Sequence, residues 1–357
     1  MVTLSRATFL KTAAAAAAAT VLAGCSTGPQ GSNSAGDSSS SNASGSGAEK
    51  YTIKHNFGET TFEKVPEKIA VVQYWQNPDA LLALGVAPIG APIVAWGGNE
   101  NKSTPWFDAK LNELGARQPT RYDETDGPNF EELAKLGPDA IFCPYGEMSK
   151  ETYDKLSQIA PVVPAPEGVG SWAASWQQTT EMAGKMLRKE EEAKKVIEDV
   201  EKQIKDAAAK HSNLAGATFL AGAFDLKQNS FGAYTSQDTR PRFFSLLGMK
   251  QADYVTEHEG DKNTFFINIS AEVLDTVKAD AVWAWTDATG DIEKIKSNKL
   301  FSSMPALKND AVVFESNKTF GLALSAASPL SLPWAVNETD ILEQVSQAVE
   351  NSKRASA

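Results

Sequence analysis

The sequence predicts an α/β protein of two similar lobes joined by a single long helix, with a ligand cleft between the lobes. Three observations lead there. From Tyr51 onward short apolar runs alternate with helical stretches, a set of residues in the first half recurs in the second, and the longest amphipathic stretch lies between the two sets. Strands alternating with helices favour parallel sheets covered by helices.

The first 50 residues stand apart from that pattern. Arg6 and Lys11 precede an apolar run from Ala13 to Leu22, too short for the ~20 residues a membrane-spanning helix needs, so it reads as a signal peptide covering residues 1–24. Leu22-Ala23-Gly24-Cys25 resembles a lipobox, in which the cysteine is acylated and becomes the first residue of the mature chain. Ser5 to Lys11 resembles a twin-arginine motif with Ala7 in the place of the second arginine, which leaves the export route open. Residues 25–50 are rich in Ser, Gly, Ala and Asn, and read as a flexible tether with an rms reach of roughly 25–30 Å.

Residues 51–184 form the first expected lobe. Ile69 to Val72 is a buried strand, Asp79 to Leu84 a helix stopped by Gly85, and Ala87 to Ala91 the start of the next strand. Phe130 to Leu136 is a helix stopped by Gly137-Pro138, and Ala140 to Cys143 a strand. Residues 185–211 carry the connecting helix. Met182, Met186, Ala193, Val196, Ile197, Val200, Ile204 and Ala208 make one stripe, with Glu190/Lys194, Glu191/Lys195, Glu198/Lys202 and Glu201/Lys205 as i,i+4 pairs. With neither Pro nor Gly between Lys185 and Lys210, a rod of about 35 Å is expected. A rigid strut limits hinge opening, so the cleft should close only slightly.

Residues 212–357 form the second lobe. Phe219 to Ala223 is a strand, Arg242 to Leu247 a helix stopped by Gly248, Ala271 to Val277 a helix, and Ala281 to Trp285 a strand. Glu131, Leu133, Asp139, Ala140 and Ile141 align with Glu272, Leu274, Asp280, Ala281 and Val282 at one offset of 141, and Leu84-Gly85 has a counterpart in Leu247-Gly248 across an insertion.

Composition and motif content narrow the function. Asp plus Glu is 45 against 34 Lys plus Arg, a formal charge of −11 that argues against general nucleic-acid binding. Three histidines far apart, His55, His211 and His258, read as surface residues, and two cysteines exclude a disulfide scaffold. Cys143 lies in an apolar strand and reads as core. Ser171 lacks the G-x-S-x-G frame of a hydrolase, Gly168-x-Gly170-x-x-Ala173 follows a Pro-rich turn instead of a strand, and no Walker motif exists. No enzyme activity, resident cofactor or metal site is expected.

What remains is aromatic. Ligands of open α/β sheets bind beyond the carboxyl ends of the strands. Trp75, Trp96 and Tyr145 follow strands of the first lobe, Trp285 ends one in the second, and Tyr234 precedes the turn with Arg240 and Arg242. Each ring has core packing as its alternative, favoured for Trp283, and each arginine a surface salt bridge. Rings with a few arginines suit a flat, oxygen-rich, negatively charged ligand.

Several segments resemble the iron–siderophore substrate-binding lipoproteins of bacterial ABC importers, of the Gram-positive actinobacterial type. They are Gly127 to Ile141, Glu151 to Val163, Trp176 to Thr179, Asp238-Thr239-Arg240 with Leu247-Gly248, Ile269 to Glu272 and Ala323 to Trp334. The resemblance covers Tyr51 to Ala348 and implies the class III periplasmic-binding type, two Rossmann-like lobes on one connecting helix. It implies a monomer that captures a ferric siderophore and hands it to a permease dimer, anchored through Cys25 on the extracytoplasmic face of the membrane. It also implies permease docking through one acidic residue per lobe, by position Glu151 and Glu293, with Asp291 close to the second. Arg240 is the one ligand residue carried over. Haem or cobalamin in the same fold is the alternative ligand, and an exported α/β hydrolase a more distant alternative.

Overall fold

The computed structural model describes residues 50–261 and 264–356. The signal peptide, Cys25 and the tether up to residue 49 lie outside the described residues. The first lobe opens with an antiparallel hairpin, β1 (Tyr51–His55) and β2 (Gly58–Phe62). It continues through β3 (Ile69–Val71), α1 (Asn77–Ala83), β4 (Gly90–Pro92), α2 (Pro105–Glu113), β5 (Thr120–Tyr122), α3 (Phe130–Leu136), β6 (Ala140–Cys143), α4 (Lys150–Ser157), β7 (Val162–Pro164) and α5 (Trp176–Leu187).

Its five strands are all parallel, in the order β5-β4-β3-β6-β7. Alternate residues of a strand point to opposite faces, and the core divides accordingly. Ile69, Val71, Ala140 and Phe142 pack with Leu81 of α1 and with Met182 and Met186 of α5. Ala70, Val72, Ile141 and Cys143 pack on the other face with Leu133 of α3 and Leu156 of α4. Cys143 is a buried core thiol, as read from its strand. His55, expected at the surface, is buried instead: Thr60 of the same hairpin meets its Nε2 at 2.9 Å, and Tyr153 packs on the ring. That partner satisfies the imidazole without a metal.

The stripe read as one rod is two helices. After α5 the chain breaks at Arg188, in left-handed backbone (φ 55°), and restarts as α6 (Glu190–Ala208), about 28 Å long. The cause lies one turn earlier. A Cβ at Gly184 would come within 2.6 Å of the Ala193 Cβ, so the two helices touch where glycine lets them, and a straight rod cannot fold back that way. Lys189 N–H donates to Gly184 O at 2.8 Å and closes the break. Of the expected ion pairs Glu201–Lys205 forms at 3.6 Å, while Lys194 turns to Glu198 and Lys202 to Asp206.

The second lobe comprises β8 (Thr218–Asp225), β9 (Ser230–Tyr234), α7 (Thr239–Leu246), β10 (Lys250–Gln251), α8 (Asp253–His258), β11 (Phe266–Ser270), β12 (Ala281–Trp285), α9 (Thr289–Ser297), α10 (Pro305–Lys308), β13 (Val312–Glu315), α11 (Lys318–Ser325), α12 (Ser331–Asn337) and α13 (Ile341–Ser356). The sheet runs β11-β9-β8-β12-β13. Strand β10 takes the first part of the β8 edge in parallel, and β9 the last part in antiparallel. The helix expected at Ala271 to Val277 is a 3-10 segment, Ala271–Thr276.

The internal repeat has a physical basis. Asp139, just before β6, accepts backbone N–H bonds from Glu67 and Lys68 at the entrance to β3. Asp280, just before β12, accepts from the N–H and hydroxyl of Thr218 at the start of β8. In each lobe one carboxylate aligns the two central strands. Both matched helices end in a left-handed glycine, Gly85 (φ 80°) and Gly248 (φ 85°), and the insertion between the repeats holds the β8–β9 turn and β9.

Candidate functional site

In the first sheet the strand order turns around between β3 and β6, and in the second between β8 and β12. Such switch points open a crevice beyond the strands' carboxyl ends. The loops at these crevices carry the aromatic residues.

On the first lobe Tyr74 and Trp75 follow β3, with rings stacked at 4.3 Å, and Tyr145 follows β6, 5.4 Å from Tyr74. Trp172 stands edge-on to both tyrosines, at 5.1 and 5.7 Å. A cavity of about 640 Å³ lies against this wall, lined by Tyr74, Trp75, Glu124, Glu147 and Trp172 among others. Buried Asn77 ties the two crevice loops: its Nδ2 donates to Tyr145 O at 2.9 Å and to Val72 O at 3.2 Å, and its Oδ1 accepts from Tyr145 N–H at 3.0 Å. Gln73 makes a second knot. It holds φ 72°, its N–H donates to Glu124 Oε2 at 2.6 Å, and its side-chain amide donates to Glu147 O. Gly146 must be glycine, since a Cβ there would meet Gln73 Oε1 at 2.2 Å at φ 136°.

Glu124 is held away from water. Burial pushes its carboxyl up to about 8, against the single Gln73 N–H bond that lowers it. Burial likewise raises the Tyr74, Tyr145 and Tyr234 hydroxyls, which keeps these phenols neutral.

On the second lobe the Arg240 guanidinium lies 3.4 Å above the Tyr234 ring. Its Nε and Nη2 donate to the two oxygens of Asp238 at 2.8 and 2.6 Å, and Asp238 also caps α7 through Arg240 N–H. The arginine read as a charge for the ligand is therefore already paired. Arg242 makes no ion pair among the described residues. It donates to backbone carbonyls of Ser236 and Gln237, and across the lobes to Ala173 at 3.5 Å. The charges of Arg240 and Asp238 act on both Tyr74 and Tyr145, so the two walls lie near each other. A further cavity of about 610 Å³ runs from Arg242 to Trp176, Leu332 and the start of α5.

The lobes meet around this space. Trp96 leans on Trp285 at 5.3 Å, Thr319 Oγ1 donates to Gly97 O at 2.9 Å, and Trp285 Nε1 donates to Asp287. Buried Asp79 accepts from Trp106 Nε1 at 2.8 Å and from Ser328 Oγ at 2.5 Å, and burial raises its carboxyl to about 7. Leu82, Trp106 and Phe107 join the core of the second lobe directly. A seam of this kind resists wide opening.

The structure thus brings Trp75 and Tyr145 together on one wall, sets Tyr234 and Arg240 near them, and puts Trp96 with Trp285 at a flank. Trp283 is buried core. Sequence reasoning missed Tyr74, Trp172 and Asn77. Tyr74 was adjacent to a chosen residue, Trp172 sat in a Gly-rich stretch read for hydrolase and cofactor motifs, and Asn77 gave no pattern. Glu151 is exposed in the first turn of α4 and pairs with Lys155 at 2.7 Å; Glu293 is exposed on α9, where Asp291 pairs with Lys294 at 2.8 Å. Helices α4 and α9 follow the matched strands β6 and β12. No group of three or more His, Cys, Asp or Glu placed to hold a metal occurs among the described residues.

A family profile described as periplasmic binding protein matches residues 70–318. The chain is 29% identical over 282 residues to the probable siderophore-binding lipoprotein YfiY of Bacillus subtilis, covering 76% of this chain and 82% of that one. It is 25% identical over 283 residues to the Fe(3+)-citrate-binding protein YfmC of the same organism, covering 78% and 83%. The crystal structure of Streptococcus pneumoniae PiaA in complex with ferrichrome superposes with a TM-score of 0.74 at 30% identity, over 84% of this chain and 99% of that chain. The chain belongs to the periplasmic binding protein family.

Proposed function

We propose that the protein is the substrate-binding lipoprotein of an ABC importer, capturing a ferric siderophore at the extracytoplasmic face of the membrane and delivering it to the permease. The observation that carries this reading is the neighbouring pair of crevices, walled by Tyr74, Trp75, Tyr145 and Trp172 on one lobe and by Tyr234 and Arg240 on the other. A chelator fills the iron shell, so the protein needs aromatic surface and hydrogen bonds, not metal ligands. The siderophore- and iron-binding names of the relatives support the same ligand class.

In this reading a lipid on Cys25 anchors the mature chain, residues 25–50 tether it, residues 51–184 and 212–357 are the lobes on the connecting segment 185–211, and the protein works as a monomer. Glu151 and Glu293 dock one permease subunit each, from equivalent helices of the two lobes. Intrinsic tryptophan fluorescence tests the ligand class, because Trp75, Trp172, Trp96 and Trp285 all stand at the cleft. Saturable quenching at submicromolar concentration by a ferric siderophore is the expected result. A response to haem or cobalamin alone, or to none of these ligands by folded protein, overturns the reading.

A further inference from the structure

Among the described residues the walls of the cleft carry few charges, and carboxyls outnumber cations. The cations are Arg240, whose Nε and Nη2 are both taken by Asp238, and Arg242, which lies against backbone carbonyls. The carboxyls are Asp238, Asp287 beside Trp285, and Glu147 on the lining of the first wall, where Glu124 is held protonated. Lys318 stands at the Trp96 flank, where its backbone meets Gly97. Surrounding these few charges are seven aromatic side chains, Tyr74, Trp75, Trp96, Tyr145, Trp172, Tyr234 and Trp285.

This balance sorts ferric chelates by their own charge. A hydroxamate loses one proton on binding iron, so three of them cancel the ferric charge. A catecholate loses two, so three of them leave a trianion. Desolvating a trianion against a wall with Asp287 and Glu147 and a single unpaired arginine is unfavourable, whereas a neutral complex needs only apolar contact and hydrogen bonds. We propose that the cleft selects ferric complexes without net negative charge, the hydroxamate class, and that the Asp238–Arg240 pair sets this preference by holding the arginine's charge within the protein. The proposal rests on the siderophore reading given above.

The test is a fluorescence titration of the purified protein with a neutral ferric trishydroxamate, a trianionic ferric triscatecholate and ferric citrate, at low and high salt. The expected result is at least about a hundredfold preference for the hydroxamate, with an affinity that barely changes with salt. Asp238→Asn keeps the helix cap and frees the arginine's charge; it should shift the ratio of triscatecholate to hydroxamate affinity about tenfold toward the triscatecholate. Equal or tighter wild-type binding of the triscatecholate or of ferric citrate, falling steeply with salt, overturns the proposal while leaving the siderophore reading intact. Binding of none of the three overturns both.

Discussion

Glu124 gives the sharpest test of how the first wall is built. Its Oε2 accepts the Gln73 N–H, and its Oε1 is buried without a partner among the described residues. Around it, Asp123 raises its proton affinity, and the buried Tyr122 and Cys143 both feel its charge. The carboxyl stays protonated up to about 8 in the folded protein, against an ordinary value of 4.5. The sign follows from proton binding. Below about pH 4.5 folded and unfolded chains are both protonated and the contribution is complete. Between there and about 8 the unfolded chain loses the proton first, and stability falls as pH rises. A full one-proton difference is worth about 1.4 kcal/mol per pH unit, so the loss between about pH 5 and about pH 8 is at most roughly 4 kcal/mol. Glu124→Gln keeps an oxygen for Gln73 and cannot ionise. Urea unfolding of both proteins across this range should show the wild type losing stability relative to the variant as pH rises. Subtracting the two curves removes Asp79, which titrates in both. Parallel curves would refute the buried, neutral carboxyl.

Two further predictions follow from packing and charge. At Gly321 in α11 a Cβ would sit 2.6 Å from Trp285 Cζ3 and 3.2 Å from Trp96 Cη2. Gly321→Ala must therefore displace the flank rings, and should weaken ligand binding about tenfold and shift tryptophan emission, while unfolding stays cooperative; unchanged affinity and emission would place this flank outside the site. Reversing both docking acids, Glu151→Lys with Glu293→Lys, should cut cellular uptake at least about tenfold with ligand affinity untouched, and a loss of affinity in the purified variant would move these residues from the permease face to the cleft.

Much of the fold was legible because burial on both faces leaves a strand no polar residue. Ile69 to Val72, Ala140 to Cys143 and Ala281 to Trp285 therefore read as apolar runs. Asp139 and Asp280 were legible as a repeat because each performs the same bond at the same place in its lobe. The broken helix was not. No Pro or Gly marks the break at Arg188, and the tight contact that forces it is at Gly184, inside a regular turn. A weaker signal was present, since Arg188 and Lys189 are followed at once by Glu190, Glu191 and Glu192, the charges of one helix end set against those of a helix start. At the crevices, position after a strand was enough to place Trp75 and Tyr145 in the loops beyond the sheet, and Trp285 at a strand's carboxyl end. It did not show that Asp238 takes up Arg240, which depends on a local turn, nor that Trp172 reaches Tyr74 from a distant loop.

In the proposed function a ferric chelate sits between the two crevices. Anomalous scattering at the iron edge, from crystals of the protein grown with the ferric chelate that quenches its fluorescence, tests this directly. One iron peak is expected between the Tyr74–Tyr145 wall and the Tyr234–Arg240 wall, with no protein atom in the metal's own shell. A peak elsewhere, such as the cavity lined by Trp176 and Leu332, or iron ligated by a protein side chain, would contradict it.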